Sequence, residues 1–214
     1  MRGGDPKQFI KLGHCPVIIH TLSRLASCPE LESMIVAVPQ EMVARMEDLI
    51  GRHGVGKVGA VVPGGETRQR SVGQGLAALA LEYDYILVHD GVRPLVDRAL
   101  VTRVISAARE IGAATAAVPV QDTLARVDKK GFVSDLPPRA RSWQVQTPQA
   151  FWRPLLEEAQ QKAWADNHLG TDEAGLVVRL GRPVKVVEGS PLNLKLTTPH
   201  DLKLAKALLG LGEV

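Results

Sequence analysis

The sequence predicts an α/β protein in which a Rossmann-like, mostly parallel sheet carries helices on both of its faces. Three observations predict this fold class. Short strands alternate with amphipathic helices along most of the chain, the strands are apolar along their whole length, and glycine and polar residues follow directly after them. Strands without a polar face are typical of a parallel sheet that helices cover on both sides.

The alternation of strands and helices is regular as far as Val118. Apolar residues three or four apart, such as Val17, Ile18, Leu22 and Leu25, indicate helices, and Thr67 is suited to cap the helix that follows it. In chain order the predicted elements are helix Pro16–Leu25, strand Met34–Val38, helix Glu41–Arg52, strand Gly59–Val62, helix Thr67–Leu81, strand Tyr85–Val88, helix Ala99–Ile111 and strand Ala114–Val118.

The alternation stops at about residues 122–151. A charged turn, Asp128–Gly131, lies there between two short β-like runs, which favours a projecting hairpin arm over another strand-helix unit. The simplest partition is therefore one domain, residues 1–214, with a β-arm at about 122–151. Beyond the arm the predicted elements are helix Leu155–Ala165, helix Asp172–Leu180, strand Val184–Val187 and helix Pro199–Leu209.

Composition narrows the class of protein. A chain of 214 residues, 45% of them hydrophobic, can form one compact core, and a net charge of +3 without a concentrated basic stripe disfavours a nucleic-acid partner. Two cysteines, Cys15 and Cys28, give no disulfide framework and indicate a reducing compartment. The N-terminus lacks the apolar core of a signal peptide and no apolar run reaches membrane-spanning length, so we expect a cytoplasmic protein without a membrane partner.

Polar residues that follow three of the predicted strands mark the expected site. In open α/β sheets, ligands bind beyond the carboxyl ends of the strands, and Pro63–Arg68, His89–Pro94 and Pro119–Thr123 lie at those ends. Asp90 can hold a ribose hydroxyl or a Mg²⁺ ion that carries phosphates, and Arg93 is suited to a two-pronged grip on a phosphate. The grouping favours a phosphate-binding function.

Other polar residues near this edge have an ordinary structural explanation as well. Gly64 and Gly65 could bring backbone N–H groups close to a ligand, or could form a plain turn. Arg68 lies in the first turn of a helix, where its positive charge interacts unfavourably with the helix dipole. Either an anionic ligand or solvent could offset this cost. Pattern alone assigns no role to Lys7, to Lys195 or to the helix start Thr171–Glu173.

Seven segments, taken in order and spacing, resemble those of a known family. They are Pro6–Phe9, Gly64–Arg68 with Ser71–Val72, His89–Pro94, Pro119–Thr123, Gln146–Phe151, Thr171–Ala174 and Asn193–Thr197. On these segments the chain resembles the 2-C-methyl-D-erythritol 4-phosphate cytidylyltransferases, which belong to the glycosyltransferase-A-like nucleotidyltransferases. No single segment is decisive, but seven in register are specific, and they span essentially the whole chain.

The resemblance implies a reaction and an assembly. Family members join CTP to methylerythritol phosphate: an oxygen of the acceptor attacks the α-phosphorus of CTP, pyrophosphate leaves, and Mg²⁺ assists. Because two anions must meet, positioning and cationic stabilisation carry most of such catalysis. The resemblance also implies a homodimer with interlocking β-arms, so that Thr123 and Arg139 serve the neighbour's site.

The resemblance also implies roles for individual residues of this chain. Asp90 is expected to meet the metal mainly through the phosphates of CTP. Residue by residue, the resemblance implies catalysis by Lys7 and Lys195, cytosine recognition by Gly65, Glu66 and Ser71, ribose and metal contacts by Asp90 and Gly91, and acceptor-phosphate binding by Arg93, Thr123, Arg139 and Thr147.

The sequence departs from the family pattern at its N-terminus. Family members begin with an apolar strand and a loop of the type A-A-G-x-G-x-R-M, whereas this sequence begins at what resembles the final Met of that loop, Met1. Because that strand lies inside the family's sheet, we expect Met34–Val38 and Tyr85–Val88 to have unpaired backbone groups, each costing about 1–3 kcal/mol where it is buried. We therefore expect the chain as written to be unstable or inactive.

Two alternatives to the leading interpretation remain open. A relative that uses another polyol phosphate, such as ribitol 5-phosphate, would share the same motifs, and an assay with both acceptors separates the two. A dimeric module without catalytic activity is compatible with the departure at the N-terminus, and its affinity for CTP would distinguish it. A dinucleotide-binding domain is disfavoured because no strand leads into a G-x-G-x-x-G turn.

Overall fold

The computed structural model describes residues 6–211, so Met1 lies outside the described part of the chain. Its strands are β1 (Lys11–Leu12), β2 (Cys15–Pro16), β3 (Met34–Val38), β4 (Val58–Pro63), β5 (Tyr85–Val88), β6 (Ala113–Pro119), β7 (Arg126–Val127), β8 (Val133–Asp135), β9 (Trp143–Trp152) and β10 (Lys185–Glu188). Its α-helices are α1 (Val17–Ala26), α2 (Val43–His53), α3 (Arg68–Ala78), α4 (Arg98–Ile111), α5 (Arg153–Ala165), α6 (Glu173–Arg179) and α7 (Pro199–Leu211). Within residues 6–211, none of the helices has both the length and the apolar character that a membrane crossing requires.

Capping residues determine where several helices begin and end. The side chains of Thr67, Asp97 and Asp172 each accept a hydrogen bond from a backbone N–H of the first turn, so α3, α4 and α6 begin at the next residue. Gly112 ends α4 with a φ of 95°, a left-handed conformation that glycine adopts without steric cost. These caps are local signals, so the sequence by itself indicates where these helices begin and where α4 ends.

The main sheet has the strand order β10-β6-β9-β5, and β3 pairs with β4 in a separate two-stranded unit. β10 runs parallel to β6, and β3 runs parallel to β4. β9 runs antiparallel to both of its neighbours, β5 and β6. The predicted α/β class is thus confirmed, and the sheet is mixed because one long strand returns through its centre.

Apolar clusters lie on both faces of the main sheet. Ala114 and Ala116 of β6 pack in a cluster with residues of α1, α2 and α4, whereas Ala113 of the same strand packs in another cluster with residues of α5 and α6. Successive side chains of a strand point to opposite faces, so helices cover both sides of the sheet. The small side chains of β6, buried from Ala113 to Ala117, let these helices approach closely.

β7 and β8 form a small exposed hairpin in the segment predicted to be an arm. Phe132 in its turn is 69% exposed and Val133 is 60% exposed. Residues 143–152, by contrast, form β9 in the centre of the main sheet, so the predicted C-terminal boundary of the arm at residue 151 is corrected. The polar residues Gln146 and Gln149 made this segment look exposed in the sequence. In the structure both are buried, and their side chains make internal hydrogen bonds.

A cavity of about 880 Å³ separates β3 from β5. Among residues 6–211, β3 pairs only with β4 and β5 only with β9, so both strands have an open edge beside the cavity. This arrangement agrees with the prediction that Met34–Val38 and Tyr85–Val88 have unpaired backbone groups. Asp90, Gly91 and Lys195 also line the cavity, which therefore extends from the sheet to the polar loops beyond β5.

Candidate active site

Three loops meet beyond the carboxyl ends of β4 and β5. The loop after β4 leads to Arg68, the first residue of α3, the loop after β5 carries Asp90 and Arg93, and the segment before α7 carries Lys195. Ion pairs join Asp90 to each of the three cations. The structure thus brings together at one edge residues that lie far apart in the sequence.

Asp90 is the centre of this cluster. Its Oδ2 lies 3.0 Å from Lys195 Nζ and 3.3 Å from Arg93 Nε, and its Oδ1 lies 3.3 Å from Arg68 Nε. Burial by itself raises the pKa of Asp90, but the hydrogen bond and charge of Lys195, together with the charges of the two arginines, outweigh it and hold this pKa below its ordinary value. Asp90 is therefore ionised at neutral pH.

Hydrogen bonds fix the loops around Asp90. The Asp90 N–H donates to Thr147 Oγ1 at 3.0 Å, and the Thr147 carbonyl accepts from Asn193 Nδ2 at 2.8 Å. Arg93 Nη1 donates to the Asn193 carbonyl at 2.7 Å. Because Thr147, Asn193 and Arg93 are all buried, these bonds hold β9, the loop after β5 and the segment before α7 in one arrangement.

Arg68 is shared between two carboxylates. Its Nη1 lies 2.9 and 2.6 Å from the two oxygens of Glu173, while its Nε contacts Asp90. Only 1% of the Glu173 side chain is exposed. Burial raises the pKa of Glu173 above its ordinary value, and the charge and hydrogen bond of Arg68 offset that rise only in part. With both acids ionised, the three cations and two carboxylates of the cluster have a net charge of +1.

The loop between β4 and α3 is built around Gly65 and Ser71. The Gly65 N–H donates to Ser71 Oγ at 3.1 Å, and Ser71 Oγ donates to the Thr67 carbonyl at 3.0 Å. A Cβ on Gly65 would overlap Arg70 Cβ, so no larger residue fits there without a shift. Glu66, in contrast, has 85% of its side chain exposed. The predicted cytosine-binding residues therefore lie together, Gly65 and Glu66 in the loop and Ser71 in the first turn of α3, and Ser71 lines the cavity.

The neighbours of Asp90 in the chain have tightly packed surroundings. A Cβ on Gly91 would lie 2.7 Å from the end of an α1 side chain, so its backbone lies close against that helix. Burial lowers the pKa of His89 to about 4, and His89 Nε2 lies 3.4 Å from the Arg93 carbonyl. His89 is therefore neutral at physiological pH and supplies no positive charge to the site.

Lys7 lies beside the segment that carries Lys195. It is exposed and begins a 3-10 turn that ends at Phe9. Together with Leu196 and Thr198 it lines a small cavity near the start of α7. The two lysines predicted to be catalytic are distant in the sequence, but they lie on neighbouring segments of the fold.

The four residues predicted to bind the acceptor phosphate lie in two places. Arg93 and Thr147 belong to the cluster around Asp90, where both make internal hydrogen bonds. Thr123 and Arg139 are exposed, and Arg139 Nη1 donates to the carbonyl of Gln121 at 2.9 Å. In the described part of the chain no hydrogen bond or ion pair joins these two residues to the cluster. That Thr123 and Arg139 contribute to the site of a neighbouring subunit stays a prediction.

Sequence reasoning missed the role of Glu173 and left that of Arg68 undecided. The available signal was the position of Arg68 in the first turn of a helix, where an arginine is unfavourable without a negative partner. Nothing in the sequence identified that partner, because Glu173 lies 105 residues further along the chain. The sequence places Glu173 in a helix start and in the family segment Thr171–Ala174, but neither pattern assigns it a role.

Asp90 is the carboxylate of the cluster that borders the cavity and suits a cation carried by phosphates. Within residues 6–211, no group of three or more His, Cys, Asp or Glu side chains is arranged to hold a metal ion. Asp90 is ionised, borders the cavity and lies among phosphate-compatible cations. Mg²⁺ is usually held by one or two carboxylates together with substrate phosphates, so these residues fit that ion.

Comparisons with known proteins agree with one another. The family model described as IspD: 2-C-methyl-D-erythritol 4-phosphate cytidylyltransferase matches residues 1–211. A protein with that enzyme name from Syntrophus aciditrophicus is 43% identical over 210 residues, which cover 98% of this chain and 90% of the relative. The crystal structure of 4-diphosphocytidyl-2C-methyl-D-erythritol synthase from Anaerococcus prevotii is similar with a TM-score of 0.87 and 30% identity, over 96% of this chain and 90% of that one. The cytidylyltransferase structure from Thermus thermophilus is similar with a TM-score of 0.79 and 36% identity, over 96% and 94% of the two chains.

Proposed function

The chain belongs to the 2-C-methyl-D-erythritol 4-phosphate cytidylyltransferase family, and from this premise we propose that it transfers CMP from CTP to 2-C-methyl-D-erythritol 4-phosphate. The products are 4-diphosphocytidyl-2-C-methyl-D-erythritol and pyrophosphate, in the non-mevalonate pathway of isoprenoid synthesis. The observation that carries the proposal is the cluster in which Asp90 contacts Lys195, Arg68 and Arg93 beside a large cavity.

The reaction brings two anions together, and cations held in fixed positions can offset the repulsion between them. An oxygen of the acceptor phosphate bonds to the α-phosphorus of CTP, and the bond from that phosphorus to the bridging oxygen breaks, so that pyrophosphate leaves with the electron pair. Cations held in place before the reaction stabilise the growing negative charge without reorganisation. Lys195 is suited to this because Asp90 holds its Nζ while 43% of the side chain remains exposed to a ligand.

Lys7 is the second cation that we assign to the reacting phosphates. It is exposed, it forms no ion pair with another residue between 6 and 211, and it lies beside the segment that follows Lys195. An ammonium group on a flexible stem can follow a phosphate as the bonds to it change. In this proposal Lys7 and Lys195 approach the transferring phosphate from neighbouring segments.

The nucleotide is assigned to the loops after β4 and β5. Gly65, Glu66 and Ser71 would read the cytosine, and the hydrogen bond between Gly65 and Ser71 supports this because it gives the loop one fixed shape. Asp90 and Gly91 would contact the ribose, and the hydrogen bond that Thr21 Oγ1 of α1 donates to the Gly91 carbonyl at 3.0 Å supports a fixed backbone there. A rigid site loses little conformational entropy when the nucleotide binds.

The acceptor phosphate is assigned to Arg93, Thr147 and, from a second subunit, Thr123 and Arg139. Arg93 and Thr147 are already hydrogen-bonded to the cluster, so they also shape it. A homodimer through the hairpin of β7 and β8 is part of the proposal, and the exposed apolar side chain of Phe132 supports it. The mass of the protein in solution, measured by light scattering, tests the dimer.

Mg²⁺ is the cofactor that we propose, held by Asp90 together with the phosphates of CTP. When bound, it would neutralise phosphate charge and so favour attack at the α-phosphorus. Asp90 is suited to hold it because the surrounding cations keep its pKa low and its carboxylate in one orientation.

A cytoplasmic location is also part of the proposal. Cys15 and Cys28 are both free and buried, which agrees with a reducing compartment. Cell fractionation with an antibody to the protein would test this location directly.

The decisive experiment measures pyrophosphate release by the purified protein with CTP and Mg²⁺. Methylerythritol phosphate and ribitol 5-phosphate are supplied in separate reactions. The relatives described above carry the name of that activity, so we expect turnover with the first, in place of the inactivity that the N-terminal departure alone predicts. Preferred turnover of ribitol 5-phosphate would replace the acceptor in the proposal, and measurable turnover of either would refute the expectation that the chain as written is inactive.

Lys195→Ala and Lys203→Ala form a matched pair for the same assay. Lys203 is an exposed lysine of α7, so its loss should leave the rate unchanged. Loss of a preorganised charge at a reacting group typically lowers kcat about 10²–10³-fold, which we expect for Lys195→Ala. A folded protein that binds no CTP would favour the inactive dimeric module instead.

A further inference from the structure

Glu173 is a buried carboxylate for which the reaction described above has no use. Only 1% of its side chain is exposed, yet it lies at the edge of the site, where Arg68 Nη1 lies 2.9 and 2.6 Å from its two oxygens. Charged side chains are almost never buried to this degree unless they are paired. The contact with Arg68 therefore accounts for how this carboxylate is tolerated in the interior.

Arg68 links Glu173 to Asp90. The guanidinium that contacts Glu173 through Nη1 reaches Asp90 Oδ1 through Nε at 3.3 Å. The other oxygen of Asp90 contacts Arg93 and Lys195. In the described part of the chain, Arg68 is the charged group at Oδ1, so the position of its guanidinium determines how that oxygen is held beside the cavity.

The residues on either side of Glu173 are tied to the sheet. Asp172 caps α6 by accepting a hydrogen bond from the Gly175 N–H at 2.8 Å. Gln149 of β9, which is fully buried, donates to Asp172 at 3.0 Å and accepts from the Ala174 N–H at 3.2 Å. Glu173 lies between these two anchored residues, so its backbone is held at a fixed point of the fold.

We propose that Glu173 is a positioning residue for Asp90 and acts through Arg68. Its charge balances that of Arg68 and keeps the guanidinium Nε on Asp90 Oδ1. Without it, Arg68 would be a cation on a long, partly exposed stem with many accessible rotamers, free to turn toward solvent or toward a phosphate. The inference rests on the proposed function, in which Asp90 contacts the nucleotide.

Glu173→Gln keeps the shape of the side chain and removes its charge. We expect the KM for CTP to rise about tenfold, equivalent to about 1.4 kcal/mol, while kcat changes by less than about threefold, because a misplaced Asp90 weakens ground-state and transition-state binding alike. Asp166→Asn is the control, since it removes a carboxylate whose two ion pairs, 2.6 Å to Arg179 and 2.9 Å to Lys162, involve none of these residues. Its KM should equal that of the wild type.

Arg68→Lys separates positioning from stability. Lysine keeps a positive charge beside Glu173 but lacks the planar guanidinium that contacts two carboxylates at once. We expect this variant to fold and to show a similar rise in the KM for CTP, so the test does not depend on the stability of Glu173→Gln. Adding Glu173→Gln to Arg68→Lys should change the KM by less than about twofold more, because residues that act through one contact are not additive. If the two substitutions raise the KM independently, so that their effects multiply in the double variant, the proposal is overturned. An unchanged KM in Glu173→Gln would overturn it as well.

A measurement without nucleotide distinguishes this inference from the proposed function. In the ligand-free protein, the ¹⁵N NMR signal of the Arg68 Nε–H is identified by its loss in Arg68→Lys. We expect it to shift in Glu173→Gln and to stay in place in Asp166→Asn. If it shifts while the wild type has no activity, the positioning role stands and the proposed function fails. If it does not shift, the positioning role is refuted even in an active enzyme.

Discussion

Asp90→Asn removes the charge that three cations share and keeps the shape of the side chain. After the change, Arg93 keeps a hydrogen bond to a backbone carbonyl but loses its ion pair, and solvent cannot replace that partner because only 9% of the Arg93 side chain is exposed. Lys195 and Arg68 lose a partner as well, but solvent reaches both of them. The folded state is therefore left with one poorly compensated buried cation and two partly hydrated ones.

The exposure of each cation sets the expected loss of stability. A hydrogen bond between buried charged groups contributes about 1.5–3 kcal/mol, a range that applies to Arg93. Ion pairs that solvent can screen contribute about 0–1 kcal/mol, and Lys195 and Arg68, at 43% and 31% exposed, belong to that class. Together these contributions predict that Asp90→Asn lowers the free energy of unfolding by about 2–4 kcal/mol at pH 7.

Urea unfolding measures this loss. With a denaturant dependence of about 2 kcal/mol per molar, the middle of the usual range, the midpoint should fall by roughly 1–2 M. The pKa of Asp90 is lowered in the folded protein, so its stabilisation is complete above the unfolded pKa of about 3.9 and disappears as the pH falls through the folded value. The variant and the wild type should therefore converge in acid. A loss below about 0.5 kcal/mol at pH 7, the level of an ordinary surface change, would refute the view that Asp90 holds the cluster together.

Three other substitutions test single contacts. Gly65→Ala should lower the free energy of unfolding in urea by about 1–3 kcal/mol because there is no room for its Cβ. Gly51→Ala, whose Cβ would have no atom within 4 Å, should be neutral or stabilising, and equal effects of the two changes would contradict the close packing at Gly65. Thr147→Val removes the acceptor of the Asp90 N–H and should lower the free energy of unfolding by about 1–3 kcal/mol, while Thr147→Ser should retain most of the stability. A valine variant as stable as the wild type would argue against a stabilising role for this hydrogen bond. Two backbone N–H groups lower the pKa of Asp201 to about 2, so Asp201→Asn should reduce the melting temperature at pH 7 and reduce it much less at pH 2, where Asp201 is about half protonated. Calorimetry that shows the same difference at both pH values would exclude a charge-based cap.

Local signals predicted most of the fold, and two of the differences have physical reasons. Strands Met34–Val38 and Tyr85–Val88 have the predicted bounds because a short, wholly apolar run has few alternative structures. α3 ends at Ala78 rather than at residue 81, and there the carbonyls of Leu79 and Ala80 accept hydrogen bonds from Arg153, which no local pattern reveals.

The long strand β9 is the largest difference from the sequence-based prediction. Its glutamines look like surface residues in isolation, but Gln149 is fully buried and donates to Thr115 of β6 and to Asp172. Polar residues enter a core when their hydrogen bonds are satisfied there. Those partners come from distant parts of the chain, so the sequence favoured an exposed arm where the structure has the centre of the sheet.

By itself the sequence determined the fold class, the family resemblance and which polar residues follow the strands, because periodicity, caps and motif spacing are properties of neighbouring residues. Only the tertiary structure decided that Asp90 is shared by three cations and that Arg68 pairs with Glu173 across 105 residues. Such pairs depend on the order in which the strands assemble and on which loops that order brings within hydrogen-bond distance. The strength of each pair depends further on burial, which exists only once the chain has folded.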